Sequence, residues 1–399
     1  MKYLVTINIP YAVDARGVPY TDPLWAKDIE RHAEHVDELL IAAPLATAPP
    51  PPAWVQVPRE RPDHSRGRVT FIAVPSFRSL VPAWLGRAKI EQALAAAIAS
   101  ADVVQTNVAG WPLPLGWLAG PYARALGKPV VVNVESAPWR SARGRHRLHA
   151  WLYERLARRE VQASDIAFFT HAGYRDELLD PDRPGPRAVH VVHATWIEDE
   201  FLVDETVLER RFAARSGNEP LRVLFAGRVV AAKGIEVLLR ALETLTPQDR
   251  LAVTIAGDGD LVPALQRFAS TRSAWVRVAD PVPYGQAFLE VLDAHDLLVV
   301  PSLSDEQPRV VYDAFARGLP ALASDTRGHR DCVEEGRTGW FFGRGDAAAL
   351  ADRLRELARG ERGEVYARGR QARRYVATRT HRAMHALRRR LIHEALRRS

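Results

Sequence analysis

Cysteine is nearly absent. Cys332 stands alone among 399 residues, so no disulfide can form within the chain and a reducing compartment is expected. Long apolar runs are missing too, and none approaches the roughly 18 residues of a spanning helix. The opening MKYLVTINIP is cut by Pro10 before it reaches the length of a signal sequence. These absences point to a cytoplasmic protein. Lysine is the third scarcity: of 55 basic residues only five are Lys, at positions 2, 27, 89, 128 and 233. A GC-rich genome's codons produce such a ratio, so part of the arginine excess carries no functional message and each lysine carries more.

What is present is a globular balance, 47% hydrophobic and 26% charged. The length exceeds what one core usually fills, so two domains are expected. The net charge of +7 and pI near 9.7 suit an anionic partner: nucleic acid, a membrane surface or a phosphorylated substrate.

Along the chain, apolar runs at 3–9, 38–42, 69–74, 103–107, 130–134, 166–169 and 189–192 read as strands. Helical spacing lies between several of them, at 24–35, 90–100 and 145–162. The Pro49–Pro52 run reads as a stiff surface loop. A polar stretch at 216–220 precedes a second series, with strands at 221–226, 251–256, 275–278, 297–300 and 321–323 and helices at 235–245, 261–270, 286–294 and 347–359. Strand and helix in alternation imply α/β domains with parallel sheets and right-handed crossovers. The expected domains are 1–200, rejoined by a last helix at 380–399, and 201–379.

The stretch 301–324, PSLSDEQPRVVYDAFARGLPALAS, organises the reading. A buried parallel strand ends at Val300, a polar loop follows, and Val310, Val311, Ala314, Phe315 and Leu319 recur at helical spacing. Glu306 therefore lies in a loop at a strand's carboxyl end, where open α/β sheets bind ligands. Asp313, seven positions on, shares its helical face if the helix begins early. Carboxylates there can hold sugar hydroxyls.

Glu306 and Asp313, followed by Ala316, Gly318 and Pro320, resemble the signature of family 4 retaining glycosyltransferases of the GT-B fold. The resemblance implies two Rossmann-like parallel-sheet domains facing each other across a cleft, the donor held mainly by the second and the acceptor by the first. It is specific over 221–357 and looser before. Asp313 stands where the family normally has Glu.

FAGRVVAAKG, 225–234, resembles the family's donor-phosphate motif. Gly227 allows close backbone approach, and Arg228 and Lys233 lie near the next helix's amino end, where the dipole also favours an anion. Two fixed cations can neutralise a departing diphosphate without a metal. The resemblance places Gly257 and Asp258 beside the nucleotide and Tyr284 near its base. It gives Glu306 the transferred sugar's hydroxyls, the backbone of Gln307, Pro308 and Arg309 the sugar or phosphates, and Asp313 the ribose. Arg327 and Asp331 depart from the family's usual Gly and Glu.

On the acceptor side, Gly17 is the lone glycine where relatives have a pair, and Glu135 stands where many carry His. Glu135 is the candidate for acceptor orientation or for stabilising charge on the sugar ring, against a plain cap or salt bridge. His171 and His193 read as polar neighbours of the cleft or surface histidines. No metal ligands and no cofactor are expected.

Two arginine-rich helices stand out. Residues 140–160 hold seven Arg against two Glu, with Leu148, Trp151, Leu152 and Leu156 on one face, and 370–399 hold ten Arg and one acid, with Met384, Leu387, Leu391 and Ala395 at stripe spacing. Each either packs its stripe as core or lies on an anionic membrane. The implied function is metal-independent, retaining transfer from a nucleotide-diphosphate sugar to a glycan or lipid-linked acceptor in cell-surface polysaccharide or glycoconjugate synthesis, with contact at the inner face of the plasma membrane if a basic helix meets it. A small natural-product acceptor is the first alternative. A non-catalytic basic binding protein on the same fold is the second. No nucleic acid is expected, because aromatic residues do not interleave with the arginines as stacking requires.

Overall fold

The computed structural model describes residues 1–60, 67–110, 112–137, 139, 147–215 and 219–397. The chain forms two compact units, Met1–Val192 with Met384–Ser399, and His193–Ala383. The sequence reading set these boundaries at 200 and 379.

The first unit contains β1 (Lys2–Thr6), β2 (Ala12–Val13), β3 (Pro19–Thr21), β4 (Glu38–Pro44), β5 (Val55–Gln56), β6 (Arg68–Val74), β7 (Val103–Asn107), β8 (Val130–Val134), β9 (Ile166–Phe169) and β10 (Ala188–Val191). Seven form a sheet in the order β10-β9-β8-β7-β1-β4-β6, every pairing parallel. The run Val-Val-Val-Asn-Val of β8 is buried throughout, as a strand covered on both faces must be. A three-stranded antiparallel sheet of β2, β3 and β5 went unread, its strands being too short to show alternation.

The second unit contains β11 (Leu221–Ala226), β12 (Leu251–Ala256), β13 (Val276–Ala279), β14 (Leu297–Val300), β15 (Ala321–Ser324) and β16 (Gly339–Phe342). They pair in parallel in the order β13-β12-β11-β14-β15-β16, the doubly wound order of dinucleotide-binding folds. The order reverses between β11 and β14, and ligands in such sheets bind beyond the strand ends at that switch point. One core beneath this sheet gathers Phe225, Ile235, Leu238, Val253 and Leu354, and another gathers Tyr312, Phe315, Leu298 and Val376.

The two basic helices differ, and the first needs correction. The basic helix Arg147–Gln162 buries Tyr153, Ala157, Glu160 and Val161, while Leu148, Trp151 and Leu152 are exposed. Its apolar stripe is therefore not core; residues 140–146, apart from the helix, lie outside the described part. The tail is two helices, Arg362–Val376 and His381–Arg397. The last one buries His381, Met384, His385, Arg388, Ile392 and Ala395, with Leu387 and Leu391 only half-buried. No helix among the described residues is long and apolar enough to cross a membrane.

Candidate donor site

β11 and β12 each end in alanine and pass straight into glycine. Gly227 and Gly257 have φ of 148° and 149°, and a Cβ on Gly257 would stand 1.8 Å from the Gly227 carbonyl oxygen. Only glycine lets the two turns lie this close. The same device recurs at Gly234, with φ 73° and a virtual Cβ 1.8 Å from the Pro301 carbonyl oxygen. Beside it, Leu303 N–H donates to the Ala232 carbonyl at 2.9 Å. The loop after β11 is thus laced to the loop after β14.

That lacing brings Lys233 to Glu306, Nζ to Oε2, at 3.2 Å. Lys233 ends a short 3-10 turn, Ala231–Lys233, and the helix Ile235–Glu243 starts two residues later, so its ammonium adds to the positive end of a helix dipole. Arg228 is exposed just past β11.

The helix after β14 runs Arg309–Ala316. Glu306 precedes it, so Glu306 and Asp313 do not share a helical face as an early start would have given. The Gln307 side chain turns back on the chain: its carboxamide accepts from Ala194 N–H at 2.9 Å and donates to the Ala194 carbonyl at 2.8 Å. Pro308 caps the helix and is buried, and the Arg309 guanidinium lies 5.0 Å from the Trp196 ring centre.

Asp313 is 5% exposed and accepts a 2.8 Å hydrogen bond from the Tyr284 hydroxyl. Burial, together with the Asp313 charge and that bond, pushes the Tyr284 phenol far above its ordinary range, so it remains a neutral donor. Asp258 is exposed, its carboxylate accepting from Gly259 N–H at 2.8 Å. Gly227, Arg228, Gly257, Asp258, Tyr284 and Asp313 line one cavity of about 380 Å³, with Val282, Phe288 and Val310 as apolar wall.

Asp305 was passed over in the sequence. It accepts from Arg327 N–H at 3.2 Å, and a Cβ on Gly328 would meet the Asp305 and Glu306 carbonyls at 2.5 Å. The short helix Arg327–Arg330 therefore braces the loop that carries Glu306. Within it His329 is fully buried, its Nδ1 donating to the Ser324 carbonyl at 2.6 Å, and burial lowers its pKa to about 4.

The acceptor-side candidates lie in the first unit. Gly17 occupies the exposed turn between β2 and β3, its N–H donating to the Asp14 carbonyl at 2.9 Å. Glu135 is exposed one residue past β8 and accepts from Asn133 Nδ2 at 2.8 Å. His171 is not a surface histidine: it is fully buried, with its ring centre 3.8 Å from that of Tyr174.

Residues 220–359 match the family model described as Glycosyl transferases group 1. That match lies within the second unit, His193–Ala383. The chain is 32% identical over 271 residues to the alpha-maltose-1-phosphate synthase of Mycolicibacterium smegmatis, covering 60% of this chain and 65% of the relative. It is 27% identical over 248 residues to the alpha-D-kanosaminyltransferase of Streptomyces kanamyceticus, covering 59% and 62%. Each match spans less than two thirds of the relative's own length. Among solved structures, sucrose-phosphate synthase from Thermosynechococcus elongatus superimposes with TM-score 0.72 at 16% identity, and Anabaena Alr3699/HepE in complex with UDP with TM-score 0.69 at 14%, both over 100% of the two chains. The fold is GT-B, two Rossmann-like parallel-sheet units. The cavity described above is lined by residues of the matched stretch.

Proposed function

We propose that this chain is a retaining glycosyltransferase that takes a nucleotide-diphosphate sugar and needs no metal for the transfer. The observation that carries the reading is the cavity at the switch point of the second unit, where glycine backbone, Arg228, Tyr284 and Asp313 line one space and Lys233 and Glu306 stand together nearby.

In this reading Asp313, oriented by Tyr284, takes the ribose hydroxyls, and the glycine turns admit the nucleotide. Arg228 and Lys233 hold the diphosphate. Displaced from Lys233 by that anion, Glu306 is free to accept from the sugar's hydroxyls. The bond from the anomeric carbon to the leaving phosphate oxygen breaks while the acceptor oxygen bonds to the same face, and the departing phosphate takes the acceptor's proton. The negative charge that develops on the phosphate is met by cations already in place. The first unit handles the acceptor, with Gly17 and Glu135 as the residues assigned to it.

The acceptor is a lipid-linked or polymeric glycan in this proposal. Leu148, Trp151 and Leu152 are exposed on the Arg147–Gln162 helix among Arg147, Arg155 and Arg159, which suits an anionic membrane surface. The kanosaminyltransferase similarity supports the other reading, a small natural-product acceptor. Sedimentation with vesicles containing anionic lipid separates them: the membrane reading predicts binding that Trp151→Ser with Leu152→Ser abolishes, and absence of binding favours the small acceptor. Incubating the protein with UDP-, GDP- and dTDP-sugars and reading nucleotide release, then the product's anomeric configuration by NMR, tests transfer and retention. No release from any donor, or an inverted product, contradicts the proposal.

A further inference from the structure

Asp28 and His32 are one turn apart on the helix Pro23–Ala33, and His385, 357 positions from Asp28, comes to them on the last helix, within the same unit. His385 Nε2 is 3.0 Å from Asp28 Oδ1, and His32 Nε2 is 3.6 Å from Asp28 Oδ2. The three ligand atoms all lie within 4.8 Å of one another. The imidazoles meet edge to face at 4.5 Å, and Asp28 and His385 are buried.

We propose that these three side chains form a structural site for a divalent cation of the zinc class. Two imidazoles and one carboxylate are the donor set such ions take. Tetrahedral bonds of 2.0–2.1 Å put neighbouring ligand atoms about 3.3 Å apart, so the observed spacing closes on an ion with side-chain adjustments alone. A small, partly open space of about 30 Å³ adjoins His32 and His385 and is lined also by Tyr3, His35 and Gln105. It has room for one water, which fills the fourth coordination place. The buried His35 Nε2, which has no hydrogen-bond partner among the described residues, is the group to hold that water.

Arg388 and Arg389 line the same space, so the ion binds against positive charge and more weakly than in a closed four-ligand site. Its effect is to fasten the last helix to the first. Binding free energy at such a site appears as folding free energy. The reaction proposed above does not pass through this ion. In the sequence Asp28 and His32 are a helical pair without a third ligand nearby, because His385 lies 357 positions from Asp28.

The test uses the full chain stripped with a chelator and titrated with Zn²⁺ by calorimetry, with elemental analysis after dialysis. One equivalent is expected, together with a rise in Tm. His32→Gln and Asp28→Asn should each weaken binding by about 100-fold or more and remove the rise, while the Tm shift given by a nucleoside diphosphate persists. Because either variant can lose stability for other reasons, Co²⁺ on the unaltered protein is read separately, and an intense visible spectrum of four-coordinate cobalt is expected. No stoichiometric zinc, a six-coordinate cobalt spectrum, or undiminished binding in both variants would overturn the site.

Discussion

Lys233 Nζ and Glu306 Oε2 stand 3.2 Å apart, joining the loop after β11 to the loop after β14. Both side chains are partly exposed, at 21% and 43%, so the pair itself is worth no more than about 1 kcal/mol. A diphosphate can therefore draw the ammonium away at little cost. Glu306→Gln removes the competitor, and nucleoside diphosphate affinity should rise by about two- to fivefold. Turnover should fall by about 100-fold if the carboxylate holds the sugar. Calorimetry with UDP, GDP and dTDP beside initial rates checks both, and unchanged turnover would remove Glu306 from the site.

Tyr284→Phe deletes the hydroxyl that donates to Asp313 at 2.8 Å. The buried carboxylate then lacks that donor, which should cost roughly 1–3 kcal/mol in urea unfolding of the second unit. Diphosphate affinity should drop with it, since Asp313 loses its orientation. A variant as stable as the parent would mean that the bond carries nothing.

Asp296 is 4% exposed and accepts from Arg215 Nη1 at 2.8 Å and Arg222 Nε at 3.0 Å. Asp296→Ala leaves two guanidinium groups without their shared acid and should destabilise by about 3–5 kcal/mol. A loss below 1 kcal/mol by the same unfolding measurement would show that water replaces the carboxylate.

His329 sets a pH window. Its pKa falls from the ordinary 6.5 to about 4 on folding, so the unfolded chain takes up a proton that the folded chain refuses. The stability it preserves is complete above pH 6.5 and is lost as pH falls from there toward 4, by roughly 3 kcal/mol in all. His329→Asn keeps a donor for the Ser324 carbonyl and does not titrate, so unfolding free energies measured across this window should decline less steeply than in the parent. Identical slopes would place the acid sensitivity elsewhere.

Much of the two sheets was legible. Residues 103–107, 130–134, 166–169, 221–226, 251–256 and 297–300 are strands as read, because a strand buried on both faces is an unbroken apolar run. The carbonyl-to-Cβ distances at Gly257 and Gly234 give the physical reason for the glycines that the motif reading singled out. What escaped depends on partners far along the chain. Leu148, Trp151 and Leu152 have core composition, and only the burial of Tyr153 and Ala157 on the opposite face reveals them as surface. The 29-residue step from Tyr284 to Asp313 and the doubling-back of Gln307 onto Ala194 leave no periodic trace. The last helix buries histidines and an arginine beside Met384, so its apolar stripe was incomplete.

The most direct measurement is a thermal-shift series on the parent and Lys233→Ala with UDP, GDP, ADP and dTDP, in chelator. A diphosphate at 100 times its dissociation constant adds about 2.7 kcal/mol to native stability. The account predicts that at least one raises Tm without divalent metal and that Lys233→Ala, folded and otherwise as stable, loses the shift. No shift from any diphosphate, or an undiminished one in Lys233→Ala, would contradict a donor site built on this lysine.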